Sequence, residues 1–129
     1  MMLRGRARVA GPADRGQASL EIALLLPALA MALLAVIQIG LVVHARVMVT
    51  HAAREAVRAA AVGQPLSEAR SVAIASGGLA PQRLEVSLTE AGDQVTATIR
   101  YRAPTSVPIV GAFVGDVELV GDATMRIEQ

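Results

Sequence analysis

The 129-residue chain contains no cysteine and no lysine, and its charges nearly cancel, leaving a formal net charge of +1. Each absence removes a class of function. Without Cys there is no disulfide framework, no thiolate metal site and no Cys nucleophile, so any domain is held by packing alone. The 12 basic residues are therefore all Arg. They are spread along the chain, whereas a phosphate-binding surface concentrates them on one face, so nucleic acid is not an expected partner. Charge is also missing altogether from one long stretch: from Ile22 to Val43 there is no Asp, Glu or Arg.

That uncharged stretch decides how the 53% hydrophobic content is distributed. A hydrocarbon core of about 30 Å needs roughly twenty apolar residues at about 1.5 Å each, which is what this run supplies. The run therefore predicts a single membrane-spanning helix. Arg4, Arg6, Arg8 and Arg15 precede it against Asp14 alone, which keeps the N-terminus cytoplasmic and sends the rest of the chain across the bilayer. A cleaved secretory signal is the competing reading. Its apolar region normally covers about 7–15 residues and closes on a small-x-small site, a poor fit to a longer run that flows straight into a helical pattern.

Met1 to Arg15, with Gly5, Gly11 and Pro12, reads as an unstructured leader. The spanning helix is expected to start near Ala18 or Ser19. Pro27 sits one or two turns inside it, where the missing N–H and the ring favour a kink. Ser19 or a neighbouring helix can satisfy the carbonyl so freed. Beyond the span no Pro or Gly interrupts His44 to Val62, and Ala52, Ala53, Ala56, Ala59, Ala60 and Ala61 are strong helix formers. One helix from Gln17 to Val62 would reach roughly 70 Å, less than half of it in hydrocarbon. On its outer half Ala45, Met48, Val49, Ala52, Ala56, Ala59 and Ala60 recur at helical spacing, a narrow face suited to a docked sheet or to a parallel neighbour helix.

Gly63 ends that helix, and Ser67 is placed to cap a short second helix that runs to about Ser76 and stops at Gly77-Gly78. From Leu84 the period changes to two. Leu84, Val86 and Leu88 alternate with polar residues, as do Val95, Ala97, Ile99 and Tyr101, with Ala91-Gly92-Asp93 as the hairpin turn between them. A third run places Val117, Leu119, Ala123, Met125 and Ile127 on one face, with Gly121 marking a bulge. Pro104 to Gly115 carries no charge but holds Val107, Ile109, Val110, Phe113 and Val114, and should pack against something. The expected fold is α+β: a long N-terminal helix continuing into a stalk, a short second helix, and a small antiparallel sheet of about three strands packed on the first helix. About 65 residues bury too little surface to be comfortably stable alone, so the helix is the natural cover for the sheet.

The sequence Gly16-Gln-Ala-Ser-Leu-Glu21, then Leu26-Pro27, His44-Ala45-Arg46, Thr50-His51-Ala52-Ala53-Arg54-Glu55-Ala56-Val57-Arg58 and Ala60-Ala61-Val62-Gly63 resembles the TadE-like family of tight-adherence (Flp-type) pilus systems. Those proteins are minor pilin-like components of the bacterial envelope with a pilin-like fold. Two positions depart from the pattern: His51 stands where Asn is common, and Ile22 follows the glutamate where pilins usually carry Phe. The resemblance implies cleavage by a prepilin-type aspartyl peptidase between Gly16 and Gln17, giving a leader (1–16), a transmembrane and stalk helix (17–62) and an extracytoplasmic α+β domain (63–129). It implies as partners the lipid bilayer, that peptidase, other pilin-like subunits and an inner-membrane assembly platform. The location implied is the inner membrane, single-pass, with the extracellular pilus as a further destination. Glu21 would set register in assembly by pairing with the new ammonium group at Gln17, its own or a neighbour's.

Other side chains carry less. Glu21 by itself would read as an interfacial carboxylate snorkelling to water. His44 and His51 lie about 10.5 Å apart along a helix, too far to share one metal ion, and His51 is placed to pair with Glu55. Arg54, Glu55 and Arg58 form either an intersubunit ion pair or a solvated helix face worth little. No acid–base pair, activated nucleophile or phosphate-cradling loop stands out, so neither an enzyme, a cofactor nor a small-molecule substrate is expected. The alternative function is an uncleaved, signal-anchored extracytoplasmic module that binds a partner through the Pro104–Gly115 segment.

Overall fold

The computed structural model describes residues 12–105 and 110–127. Its elements in chain order are α1 (Pro12–Ala61), α2 (Leu66–Gly77), a 3-10 turn (Pro81–Arg83), β1 (Leu84–Ala91), β2 (Gln94–Ala103), α3 (Val110–Val114) and β3 (Val117–Arg126). The chain divides within α1 into two compact units, Met1–Leu34 and Ala35–Gln129. The architecture is the α+β arrangement expected, with one long apolar helix, a short second helix and three antiparallel strands.

In the first unit, α1 begins at Pro12, earlier than the Ala18 or Ser19 start read from the sequence. Proline at the opening of a helix loses nothing, because its absent N–H would have had no intrahelical partner and its fixed φ already suits the helix. The unstructured leader therefore does not extend over Pro12 to Arg15, while residues 1–11 lie outside those described. Pro27 lies inside α1, which continues through it. Leu20, Ile22, Leu24, Leu25, Leu26 and Leu29 are all well exposed.

The second unit builds its core on the C-terminal part of α1. Ala45, Val49, Ala52, Ala53, Ala56, Val57, Ala59, Ala60 and Ala61 are buried in one cluster with Ala69 and Ala73 of α2 and the inner face of the sheet. The face is wider than the sequence stripe, since Ala53, Val57 and Ala61 join it. Small side chains on the helix bring its neighbours close. A Cβ on Gly77 of α2 would sit 3.4 Å from the Cβ of Ala52, so the space between the two helices there would admit little more than a methyl group.

The strand order is β1-β2-β3, both pairs antiparallel. Central β2 turns Val95, Ala97, Ile99, Tyr101 and Ala103 inward and all are buried, the period-two pattern visible in the sequence. Gly92 and Asp93 form the two-residue turn, with Gly92 at φ 63° as such hairpins require, and Ala91 already pairs with Gln94. Beyond the ladder, Ile127 donates its backbone N–H to the Asp93 carbonyl at 2.7 Å, and Arg126 pairs with the Asp93 carboxylate at 2.9 Å. The Thr96 and Thr124 hydroxyls, directly opposite, hydrogen-bond at 2.9 Å.

Two local expectations, at Gly121 and Ser67, are corrected, and the face expected for Met125 is found. Gly121 is not a bulge: β2 and β3 pair one to one throughout, with Ile99 opposite Gly121. Its role is steric, because a Cβ there would lie 2.8 Å from Val49 Cγ1 and 3.3 Å from the Thr50 backbone nitrogen. Ser67 does not cap α2. Pro65 precedes that helix and its carbonyl accepts from Glu68 and Ala69, while Ser67 lies inside and accepts from the Ser71 hydroxyl through its own carbonyl. Met125 faces inward by register, opposite buried Val95, yet stays exposed because β3 is an edge strand.

Gly121→Ala should destabilise the second unit by about 1–3 kcal/mol, the usual cost of overpacking. Val49→Ala in the same chain should recover part of that loss, giving a combined cost below the sum of the two single changes. Thermal unfolding of the detergent-solubilised protein checks this, and strictly additive losses would contradict the close approach of β3 to α1.

Candidate membrane and assembly surface

Gly16, Gln17, Glu21 and Pro27 all lie on α1, and all are exposed within the single chain. A Cβ added to Gly16 would meet nothing within 4 Å. Glycine is therefore not demanded there by the chain's own packing or by a positive φ. Helical spacing puts Gln17 and Glu21 one turn apart on the same side, near enough for a group on residue 17 to pair with the Glu21 carboxylate. From Ile22 to Ile37 the helix is apolar all round, and 6% of its most apolar 18-residue stretch is buried within the molecule. The core helix of a soluble domain would be mostly covered. This one leaves its Leu, Ile and Val side chains outside, the arrangement that hydrocarbon satisfies.

Gln38 is the one side chain of the Ile22–Val43 run with amide hydrogen-bonding groups. It belongs to the second unit and is turned into the protein, 7% exposed, with neither Oε1 nor Nε2 partnered. Sequence reading passed over it, although an isolated Gln in an apolar run is a visible signal.

Arg54 and Arg58 are exposed and Glu55 is half-buried, on the part of α1 that the sheet leaves open. Among the described residues none of the three makes an ion pair, and His51 and Glu55 do not form the salt bridge their spacing suggested; the ion pairs present are Arg83–Asp116 and Arg126–Asp93. A shallow concavity runs along the same exposed side, lined by Arg46, Met48, His51 and Arg54 among others. The alanine face, by contrast, is used up by the chain's own sheet and α2. Of the two occupants expected for it, the docked sheet is the one found over Ala45–Ala61.

The loop between β2 and β3 is closed by the Thr105 hydroxyl donating to the Gly115 carbonyl. Gly111 of α3 lies so near the Thr105 backbone oxygen that no Cβ fits between them. On the other side of the domain, Arg70 of α2 donates to the Val86 carbonyl of β1 at 2.8 Å, an attachment the sequence pattern did not reveal. No group of His, Asp or Glu able to hold a metal ion occurs among the described residues.

No curated protein and no solved structure matches the chain. The family model described as TadE-like protein matches residues 16–58, opening on Gly16, running through the exposed apolar span and closing on Arg58 in the alanine-faced part of α1. Over those residues, a third of the chain, the sequence is similar to that family.

Proposed function

We propose that this protein is a minor pilin-like component of a tight-adherence-type pilus, held in the cytoplasmic membrane by α1 and acting in assembly of the filament. The observation that carries this reading is the coincidence of two independent boundaries. The TadE-like match opens at Gly16, and Glu21, the last charge before the exposed apolar span, follows five residues later. A helix of this kind lies in lipid or against other helices of its own kind, so membrane and pilin-like subunits are its partners.

Within this proposal residues 1–16 are a cytoplasmic leader, 17–62 the transmembrane and stalk helix, and 63–129 the extracytoplasmic domain. A prepilin-type aspartyl peptidase cleaves between Gly16 and Gln17, with the Arg-rich leader holding the bond outside the hydrocarbon. The open surroundings of Gly16 support a requirement imposed by the enzyme's cleft rather than by this fold. Cleavage creates an ammonium group at Gln17. A carboxylate at mid-bilayer costs roughly 2.5–3.5 kcal/mol on insertion scales and less near the interface, so Glu21 gains from a cation as the helix moves into a filament. The new ammonium, its own or a neighbour's, supplies it and fixes the register between subunits. Pro27 gives the span a place to bend, because the Ala23 carbonyl has no N–H to accept from within the helix. Arg54, Glu55 and Arg58 remain available for pairing between subunits, and the inner-membrane assembly platform is the machinery that meets the chain first.

Two measurements test the proposal. Co-expressed with the cognate peptidase, the membrane-extracted protein should begin at Gln17 by N-terminal sequencing and intact mass, and Gly16→Ala should leave most of it unprocessed with unchanged thermal stability. A terminus at Met1 or Met2 in the wild type would favour the signal-anchored partner-binding module. Glu21→Ala should insert into membranes as the wild type does but lose recovery with the pilus assembly. Wild-type assembly by that variant would remove the carboxylate's role.

A further inference from the structure

Within the second unit an apolar groove of about 290 Å³ lies between α1 and the loop that joins β2 to β3. Ala35, Ile39 and Val43, with Gln38 and Val42 beneath them, form its helix wall, and Thr105, Val114 and Val117 form the other. Ile39, Val43 and Val114 are 63%, 56% and 60% exposed, so both walls present hydrocarbon outward. Of its two polar lining side chains, Thr105 has its hydroxyl engaged with the Gly115 carbonyl, and Gln38 has both amide atoms covered.

The depth of this groove follows from the charges that bracket the apolar run. Glu21 and His44 stand at its two ends, and a core of about 30 Å occupies roughly twenty helical residues, so the bilayer has little room to slide along α1. Ala35 to Val43 then lies in the half of the hydrocarbon nearest the folded domain. Whatever lines the groove opposite those residues lies at the same depth. Resting on the membrane-anchored reading above, we propose that α3 and the flanking Thr105 and Val117 form a second membrane-contacting element, seated among the acyl chains of the leaflet on the domain's side.

Three observations support lipid as the occupant. The chain carries no Asp, Glu or Arg between Arg102 and Asp116, so the element bears no charge that would have to be desolvated. Asp116, the first charge after it, is held by Arg83 at 3.0 Å with both side chains partly in solvent, which marks a polar border beside the apolar wall. Gln38 lines the groove but is 7% exposed, with both amide atoms covered while its neighbours Ile37 and Ile39 face out, so the groove surface it contributes is not polar. The element thus tethers the outer domain at a second point and limits its rotation about α1.

The chain's lack of cysteine makes the test direct, because a single introduced Cys takes a nitroxide label at one position only. Val114→Cys, Leu33→Cys and Thr89→Cys, all exposed positions, are labelled separately in the full chain and reconstituted in phosphatidylethanolamine–phosphatidylglycerol vesicles. Collision with oxygen, which concentrates in hydrocarbon, is compared with collision with a water-soluble nickel chelate. The ratio at Val114 should approach that at Leu33 and exceed that at Thr89 several-fold. A label at Val114 as open to nickel as the one at Thr89, with Leu33 still in lipid, overturns the inference and leaves the membrane anchor intact. Shielding of Val114 from both reagents also overturns it, in favour of a protein cover such as a second copy. Nickel access at Leu33 would overturn the anchor itself.

Discussion

The close seating of the sheet on the alanine-rich face of α1 is the contact on which the folded second unit depends. Alanine offers little hydrophobic area per residue, so such a face contributes only if its neighbours approach to van der Waals distance along its length. The molecule meets that condition with small groups on both sides: Ala45, Ala52, Ala53, Ala56 and Ala60 on α1, Ala69, Ala73 and Gly77 on α2, Ala97 and Gly121 in the sheet. Larger side chains, Val49, Val57, Val95 and Ile99, fill the spaces between these close contacts. The domain after Gly63 therefore has no separate core. Its core is shared with the helix that precedes it.

That sharing gives α1 two solvents. From Ile22 as far as Leu33 its side chains are apolar and exposed, from Leu34 one side is progressively covered, with Gln38 buried and Val42 packed on the core, and from Ala45 that side is buried while Arg46, Arg54 and Arg58 stay outside. The cover builds up over about three turns, from Leu34 to Ala45, a stretch that contains Gly40 and no proline. The similarity to the TadE-like family over residues 16–58 falls on both stretches. The exposed apolar stretch and the stretch that organises the folded domain belong to one helix.

Much of this was legible beforehand because it is carried by periodicity. The uncharged run, the helical recurrence of small residues and the alternation in both hairpin strands each reflect a solvent boundary, and boundaries leave patterns. The misses share a different cause. A glycine in a strand, such as Gly121, signals either an inserted residue or a close approach, and only the register with β2 and the position of Val49 distinguish them. Ser67 has the right side chain for a cap, but the preceding proline already offers a carbonyl to Glu68 and Ala69. The Arg70–Val86 attachment and the inward turn of Gln38 depend on which residues meet across long stretches of chain, information that local spacing does not contain.

A single shared core means that Ala45–Ala61 of α1 and strand β2 open together. Amide hydrogen exchange of the full chain in lipid nanodiscs measures this directly. Matching protection of the two segments, falling in parallel as denaturant is added, is the predicted result. Exchange of Ala45–Ala61 while β2 remains protected would contradict the account, because the sheet would then stand without the helix.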